Sequence, residues 1–413
     1  MSKSIQCLLC CLLGAGFVAL AESASAAAGS LDPTFGQHGV TVSTAGGIPY
    51  SIKLQPDGKI LILANTGAGS QILRYTFTGT LDTTFGSKGI ATLPKDFNTF
   101  ASMALQSNGQ IVVAGGVSAP SNNAAAFGLE RLNPNGAPDT TFGSNDLAVA
   151  SLGFPGTEAV LLIQPNGAIL LGAQLEPIGR RQPFHTALAR FDATGSLDTT
   201  FGSGGTVSVP AVGGCSALAL LSTGEILVVN GTGIAKFTAN GVQEPTVTGG
   251  TIVSSAGSEN PSIASIFQPN GDYLLAETIA IGAARNHNFA VEVLRFTATG
   301  NGDPNFTDPI FRYIGNGGTA VEDVPNGIAI QTNGDIVVAG GHSTTSQMLN
   351  GLARLTSTGS FDPTFGTNGI VTNGIPAGTG GFQGVVIQPD GKIVTVGTAN
   401  NLTELTISRY LGQ

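Results

Sequence analysis

Leu54-Gln55-Pro56-Asp57-Gly58-Lys59-Ile60 is an apolar strand end, a tight turn and the start of a second strand. Pro presets φ at the first turn position, Asp tolerates the next, and Gly takes the left-handed conformation that closes the loop. The phrase returns as Leu105-Gln106-Ser107-Asn108-Gly109, Ile163-Gln164-Pro165-Asn166-Gly167 and Leu221-Ser222-Thr223-Gly224. It returns again as Phe267-Gln268-Pro269-Asn270-Gly271, Ile330-Gln331-Thr332-Asn333-Gly334 and Ile387-Gln388-Pro389-Asp390-Gly391, so the turn glycines lie 47 to 63 residues apart.

A second phrase is interleaved with it. A strand ends in a cationic and an apolar residue: Arg74-Tyr75, Arg131-Leu132, Arg190-Phe191, Lys236-Phe237, Arg295-Phe296, Arg354-Leu355 and Arg409-Tyr410. Next comes a Leu-Asp-x-Thr-Phe-Gly turn at residues 31–36, 81–86, 197–202 and, with Phe361 leading, 361–366. Weaker copies stand at 138–143 and 302–306, and the copy near Gly241 is almost lost. A short β-branched strand follows, as in Val40-Thr41-Val42 or Ile370-Val371-Thr372.

Seven units of four short strands, with no helical periodicity, predict an all-β, seven-bladed β-propeller with four antiparallel strands (a to d) per blade. The phase of the chain favours a ring over an open solenoid. The first strand after residue 27 is a lone d strand, and the chain closes with an a-b-c set over 385–410 that lacks one. The N-terminal strand is therefore expected to complete the last blade and remove an open edge. The paired motifs resemble those of the delta-60 repeat family of bacterial exported proteins, along essentially all of residues 27–413. More distantly, the turn phrase is similar to that of NHL and lyase-type propellers. The delta-60 resemblance implies a propeller and carries no agreed activity or catalytic residues.

Lys3, the apolar run Cys7 to Leu20 and the small-x-small triplet Ala24-Ser25-Ala26 read as a signal peptide over 1–26, cleaved after Ala26 or alternatively Ala28. The expectation is export to the periplasm or the medium, with residues 27–413 forming a single domain. Lipidation at Cys10 is disfavoured by the preceding Leu9, and no later stretch suits a membrane span. Cys215 alone remains after cleavage and reads as a small buried hydrophobe. The abundance of glycine and scarcity of charge suit short strands and tight turns. A net charge of -9 argues against nucleic acid.

The repeated Asp (Asp32, Asp82, Asp139, Asp198, Asp303, Asp362) is read as a turn cap. The repeated Phe (Phe35, Phe85, Phe142, Phe201, Phe306, Phe365) is read as a plug between blades. Function is expected instead where blades differ, in the b-c loops over 115–126, 173–186, 279–288 and 340–350. These carry the candidate ligand-binding residues Glu176, Arg180, Arg181, His185, Arg285, His287 and His342. The arginines could hold an anionic sugar or carboxylate through bidentate contacts. The histidines lack the close pairing of a zinc site, so no metal and no cofactor is expected.

Inner strands nearly free of acids and histidines favour a non-enzymatic binding scaffold for a protein or carbohydrate, and a monomer is expected. Glu158 and Glu322-Asp323, set just before strand a, are exceptions. The alternative is a lyase or lactonase-type hydrolase working at the channel mouth.

Overall fold

The computed structural model describes residues 27–43, 45–66, 69–93, 102–118, 125–144, 147–152, 156–175, 185–212, 215–230, 233–244, 263–268, 270–281, 288–299, 301–313, 320–344, 348–372, 381–399 and 404–413. The signal-peptide segment lies outside them. The described chain is a ring of seven antiparallel sheets, six of four strands and one, blade 4, of three. The stretch 245–262 that follows the third strand of blade 4 is outside the described residues.

Each blade starts at its inner strand a, as in Ile48–Leu54 of blade 1, and runs outward through b (Ile60–Thr66), c (Gly69–Tyr75) and d (Ile90–Thr92). Ring closure follows the expected phase. Val40–Ser43 pairs antiparallel with Glu404–Tyr410, Val40 opposite Ser408 and Ser43 opposite Leu405. Asp32 and Phe35 thereby reach the last blade from the start of the chain.

Strand b of every blade is buried on both faces, which is why it reads as a continuous apolar run, as in Ile60-Leu61-Ile62-Leu63-Ala64. The core is a set of clusters, most of them lying between neighbouring blades. One joins Ile62, Leu73 and Tyr75 of blade 1 to Val394, Val396 and Ile407 of blade 7.

The outer ends of the blades are joined by one device. In blade 2, Arg131 Nε donates to Asp139 Oδ2 at 2.8 Å, and the guanidinium lies over Phe142, 4.5 Å from its ring centre. Its Nη1 donates to the Ala193 carbonyl in the c-d turn of blade 3 at 2.6 Å. Asp139 Oδ1 accepts from the Thr141 amide and hydroxyl, which is the cap read from the sequence. Phe142 packs where the next blade's turn has Gly195, at φ +88; a Cβ there would meet the ring at 2.8 Å.

The same arrangement joins blades 1 and 2 (Arg74, Phe85, Pro134 carbonyl) and blades 3 and 4 (Arg190, Phe201, Ala239 carbonyl). It recurs between blades 5 and 6 (Arg295, Phe306, Ser357 carbonyl) and blades 6 and 7 (Arg354, Phe365, Gly412 carbonyl). The ring closes on the same chemistry. Arg409 of the last blade pairs with Asp32 at 2.8 Å, lies over Phe35 and Phe77, and donates to the Phe77 carbonyl of blade 1.

Burial pushes the Asp32 and Asp82 carboxyls up, but hydrogen bonds from Thr34 and Thr84, with the nearby cations, hold both down at about 2. The native state therefore binds fewer protons than the unfolded chain. This contribution is complete above about pH 4 and is lost as pH falls toward 2. Urea unfolding followed from pH 7 to pH 2 is expected to show a midpoint that drops chiefly below pH 4. Deleting residues 27–45 strands Arg409 without Asp32 and bares the edge of Glu404–Tyr410. Stranding one partner of a buried ion pair costs about 3–5 kcal/mol, and urea unfolding should show a loss at least that large.

Candidate functional site

The repeated frame makes blade-specific chemistry easy to locate. Strand a lines the channel, and its penultimate residue is apolar in six blades: Ala104, Leu162, Ala219, Ile266, Ala329 and Val386. Blade 1 has Lys53 there. Lys53 is exposed, and desolvation lowers its pKa.

The second feature is in blade 6. Strand a runs from Ala320 to Ile330 and strand b from Ile336 to Thr344, with Asp323 opposite His342. Asp323 is fully buried. Its Oδ1 is 2.8 Å from His342 Nδ1 and accepts from the Tyr313 amide, while its Oδ2 accepts from Arg312 Nε at 3.2 Å. Thr278 of blade 5 donates its hydroxyl to the Asp323 carbonyl. Arg312 and Tyr313 follow the short d strand of blade 5 (Ile310–Phe311), so the network ties blade 5 to blade 6 near the b-c face.

This placement corrects the expected position of His342, which is a buried residue of strand b and not part of a b-c loop. The glycines Gly340 and Gly341 read as a loop. In the fold Gly340 and its cross-strand partner Gly351 leave room for the Tyr313 ring, since a Cβ on Gly340 would meet the Tyr313 hydroxyl at 2.9 Å and one on Gly351 would meet the ring at 2.2 Å. The b-c connection of blade 6 thus shrinks to 345–347. Asp323, expected just before strand a, lies within it.

The third feature is a carboxyl pair in blade 5. Glu277 on strand b (Tyr273–Ile281) stands directly opposite Glu292 on strand c (Asn288–Phe296). The same register position holds Ala64–Gln71, Gly115–Gly128, Ala173–Ala187, Asn230–Gly233, Gly340–Gly351 and Gly397–Thr406 in the other blades. Glu277 is buried, and its Oε2 has no hydrogen-bond partner. Burial first, then the charge of Glu292, pushes it up to about 7.

Of the remaining predicted ligands, His185 is a half-buried residue at the start of strand c of blade 3, opposite Leu175. It too is a strand residue and not a loop residue. Glu176, Arg180, Arg181, Arg285 and His287 lie outside the described residues, as does the side chain of Glu158. Among the described residues no three His, Cys, Asp or Glu side chains gather as a metal site, and no helix is long and apolar enough to cross a membrane. Cys215 is buried against Gly172. Sequence reasoning did not single out Glu277 or Glu292. The available signal was a charge on strand b where other blades carry chiefly Gly or Ala.

These features define a repeat protein of the β-propeller class. Four stretches, residues 55–85, 106–142, 164–201 and 331–365, match a β-propeller domain family of unknown function (DUF5122). They fall on blades 1, 2, 3 and 6. No curated protein matches the chain.

Similar solved structures include a protein of unknown function from Bacteroides caccae, at 15% identity, covering 75% of this chain and 97% of that one, with a TM-score of 0.41. An α-L-arabinofuranosidase from Fusarium graminearum has 11% identity, coverage of 88% and 92%, and a TM-score of 0.46. A glucose dehydrogenase has 13% identity, coverage of 90% and 99%, and a TM-score of 0.41. Likenesses at this level carry no argument about activity.

Removing the Asp323 carboxylate strands a buried guanidinium and imidazole. Asp323→Ala is expected to cost about 3–5 kcal/mol, measured by urea unfolding at neutral pH. A loss under about 1 kcal/mol, the range of exposed pairs, would show that the network carries little.

Proposed function

We propose that this chain is an exported, non-enzymatic binding scaffold of the delta-60 type, which recognises a protein or glycan through the face formed by its b-c loops. The observation that carries the reading is where the chain varies. Between strands a and b every blade has a connection of five residues, from 55–59 in blade 1 to 388–392 in blade 7. Between strands b and c the connection ranges from 67–68 in blade 1 to 176–184 in blade 3. A scaffold whose one face is constant while the other differs blade by blade suits recognition, because loops can change without disturbing the frame.

Arg180, Arg181 and Arg285 belong to the longer connections, 176–184 and 282–287. Fork-shaped donors of this kind suit a carboxylate or an anionic sugar. Among the described residues the inner strands bring few ionisable groups to the channel, which supports binding over catalysis. The apolar h-region and the Ala24-Ser25-Ala26 triplet support export.

The test is retention on immobilised anionic polysaccharide and pull-down from envelope extract. Wild type is compared with a variant whose connections in blades 2, 3 and 5 are cut to the length seen in blade 1, and with the triple variant Arg180→Ala, Arg181→Ala, Arg285→Ala. Trimming is expected to abolish specific capture, with far-UV circular dichroism unchanged, and the triple variant is expected to lose at least tenfold in retention. Equal retention by all three proteins would overturn the reading.

A further inference from the structure

The junction between blades 4 and 5 departs from the other six in two independent ways. Blade 4 has Lys236 where the other blades have arginine. Lys236 is held within its own blade by Glu225 at 2.6 Å and Glu244 at 3.1 Å. Residues 238–266 contain no Arg, Asp or Phe. Glu244 stands where the other blades carry the turn aspartate, its amide donating to the Lys236 carbonyl at 2.9 Å, and no phenylalanine follows it to lie under the cation. The Arg-Asp-Phe device that joins the other pairs of neighbours is absent here among the described residues.

The second departure is the carboxyl pair, which faces this same junction. Side chains alternate along a strand. Tyr273 and Leu275 share the face of Glu277, and they pack with Ala217, Leu227, Val229 and Ile234 of blade 4. Ala276, Val291 and Val293 point the other way, into the cluster shared with blade 6. Glu277 and Glu292 therefore stand side by side in the wall toward blade 4.

The charged groups around the pair are few. Strand a of blade 5 (Ile263–Phe267) has none. Asp308, before strand d, adds to the negative field at Glu292, whose carboxyl is pushed up first by burial and then by that charge. From blade 4, strands a and b (Cys215–Leu220 and Ile226–Asn230) bring no charged group, and strand c (Gly233–Phe237) brings Lys236, already bound by its two glutamates. No cation among the described residues neutralises the pair.

We propose that the junction of blades 4 and 5 is the seam of the ring, closed while Glu277 is protonated and loosened when it ionises. A protonated Glu277 can share its proton with Glu292 or a nearby carbonyl. Once ionised, it leaves two carboxylates facing one apolar wall with no counter-ion among the described residues, and parting the junction lets water reach both. At the other junctions the same parting would break the arginine's bond to the neighbouring blade's carbonyl and unseat the phenylalanine from that blade's turn, so the strain is relieved here. The sign is definite. The closed form holds the proton more tightly than an open, hydrated form, so closure is fully favoured below about pH 4.5 and weakens as pH rises through about 7.

Amide hydrogen exchange on the full chain tests this, at pH 5.5 and 8.5 with rates corrected for intrinsic exchange. Opening across residues 226–237 and 263–281 is expected to rise roughly ten- to a hundredfold at the higher pH, with no such change across 111–132 of blade 2. Glu277→Gln should keep this region protected at both pH values. Glu292→Gln retains the titrating acid but removes the second charge, and should shrink the effect. Equal protection of wild type at both pH values would overturn the proposal. So would an undiminished pH effect in Glu277→Gln or Glu292→Gln, or a loss of protection spread evenly over all blades.

Discussion

The ring depends on how a buried guanidinium is satisfied. The arginine at the end of strand c has five donors and no means of losing its charge. Arg131 meets these demands with the Asp139 carboxylate, the Phe142 ring and a carbonyl of the following blade. Two of these partners belong to its own blade and one to the next, so satisfying the charge also sets the spacing between blades. Arg409 does the same with Asp32, Phe35 and the Phe77 carbonyl, so the two ends of the chain are joined by the chemistry used elsewhere in the ring.

A frame held at its outer ends leaves the middle of each blade free to vary. At one register position the blades carry glycine, alanine, glutamine, asparagine, threonine or a pair of glutamates. Small residues there in blade 6 admit the Tyr313 ring, and the longer acids of blade 5 face blade 4 instead. Chemistry collects where repetition breaks: Lys53 at a strand-a position that is apolar in the other six blades, the Asp323 network, and the Glu277–Glu292 pair. The residues used in nearly every blade hold the ring together.

Much of this was legible in the residues. Gly58 takes φ +79 and Gly391 takes φ +80, as a Pro-Asp-Gly turn requires. The Asp caps and Phe plugs act as their repetition indicated. Gly340-Gly341 before His342 looks like a chain break, whereas Gly340, with Gly351 opposite, accommodates an aromatic ring from the preceding blade and strand b runs on through His342. The loops were drawn too long for the same reason, since strands b and c run on past their small residues. Glu277 and Glu292 went unremarked because each sits in an apolar run, and their pairing is a matter of register between two strands joined through 282–287.

The sequence by itself determined the number of blades, the turn that opens each one, and the phase by which residues 40–43 complete the last sheet. These follow from short-range rules: a turn closes on three or four residues, and a strand that lacks a partner seeks one. Only the tertiary structure decided which polar side chains share a wall. That depends on the register between strands and the packing of one blade on the next, where a missing side chain in one blade makes room for a ring from its neighbour. Asp323, His342 and Arg312 are brought together in this way, and so are two glutamates at the junction that lacks its arginine.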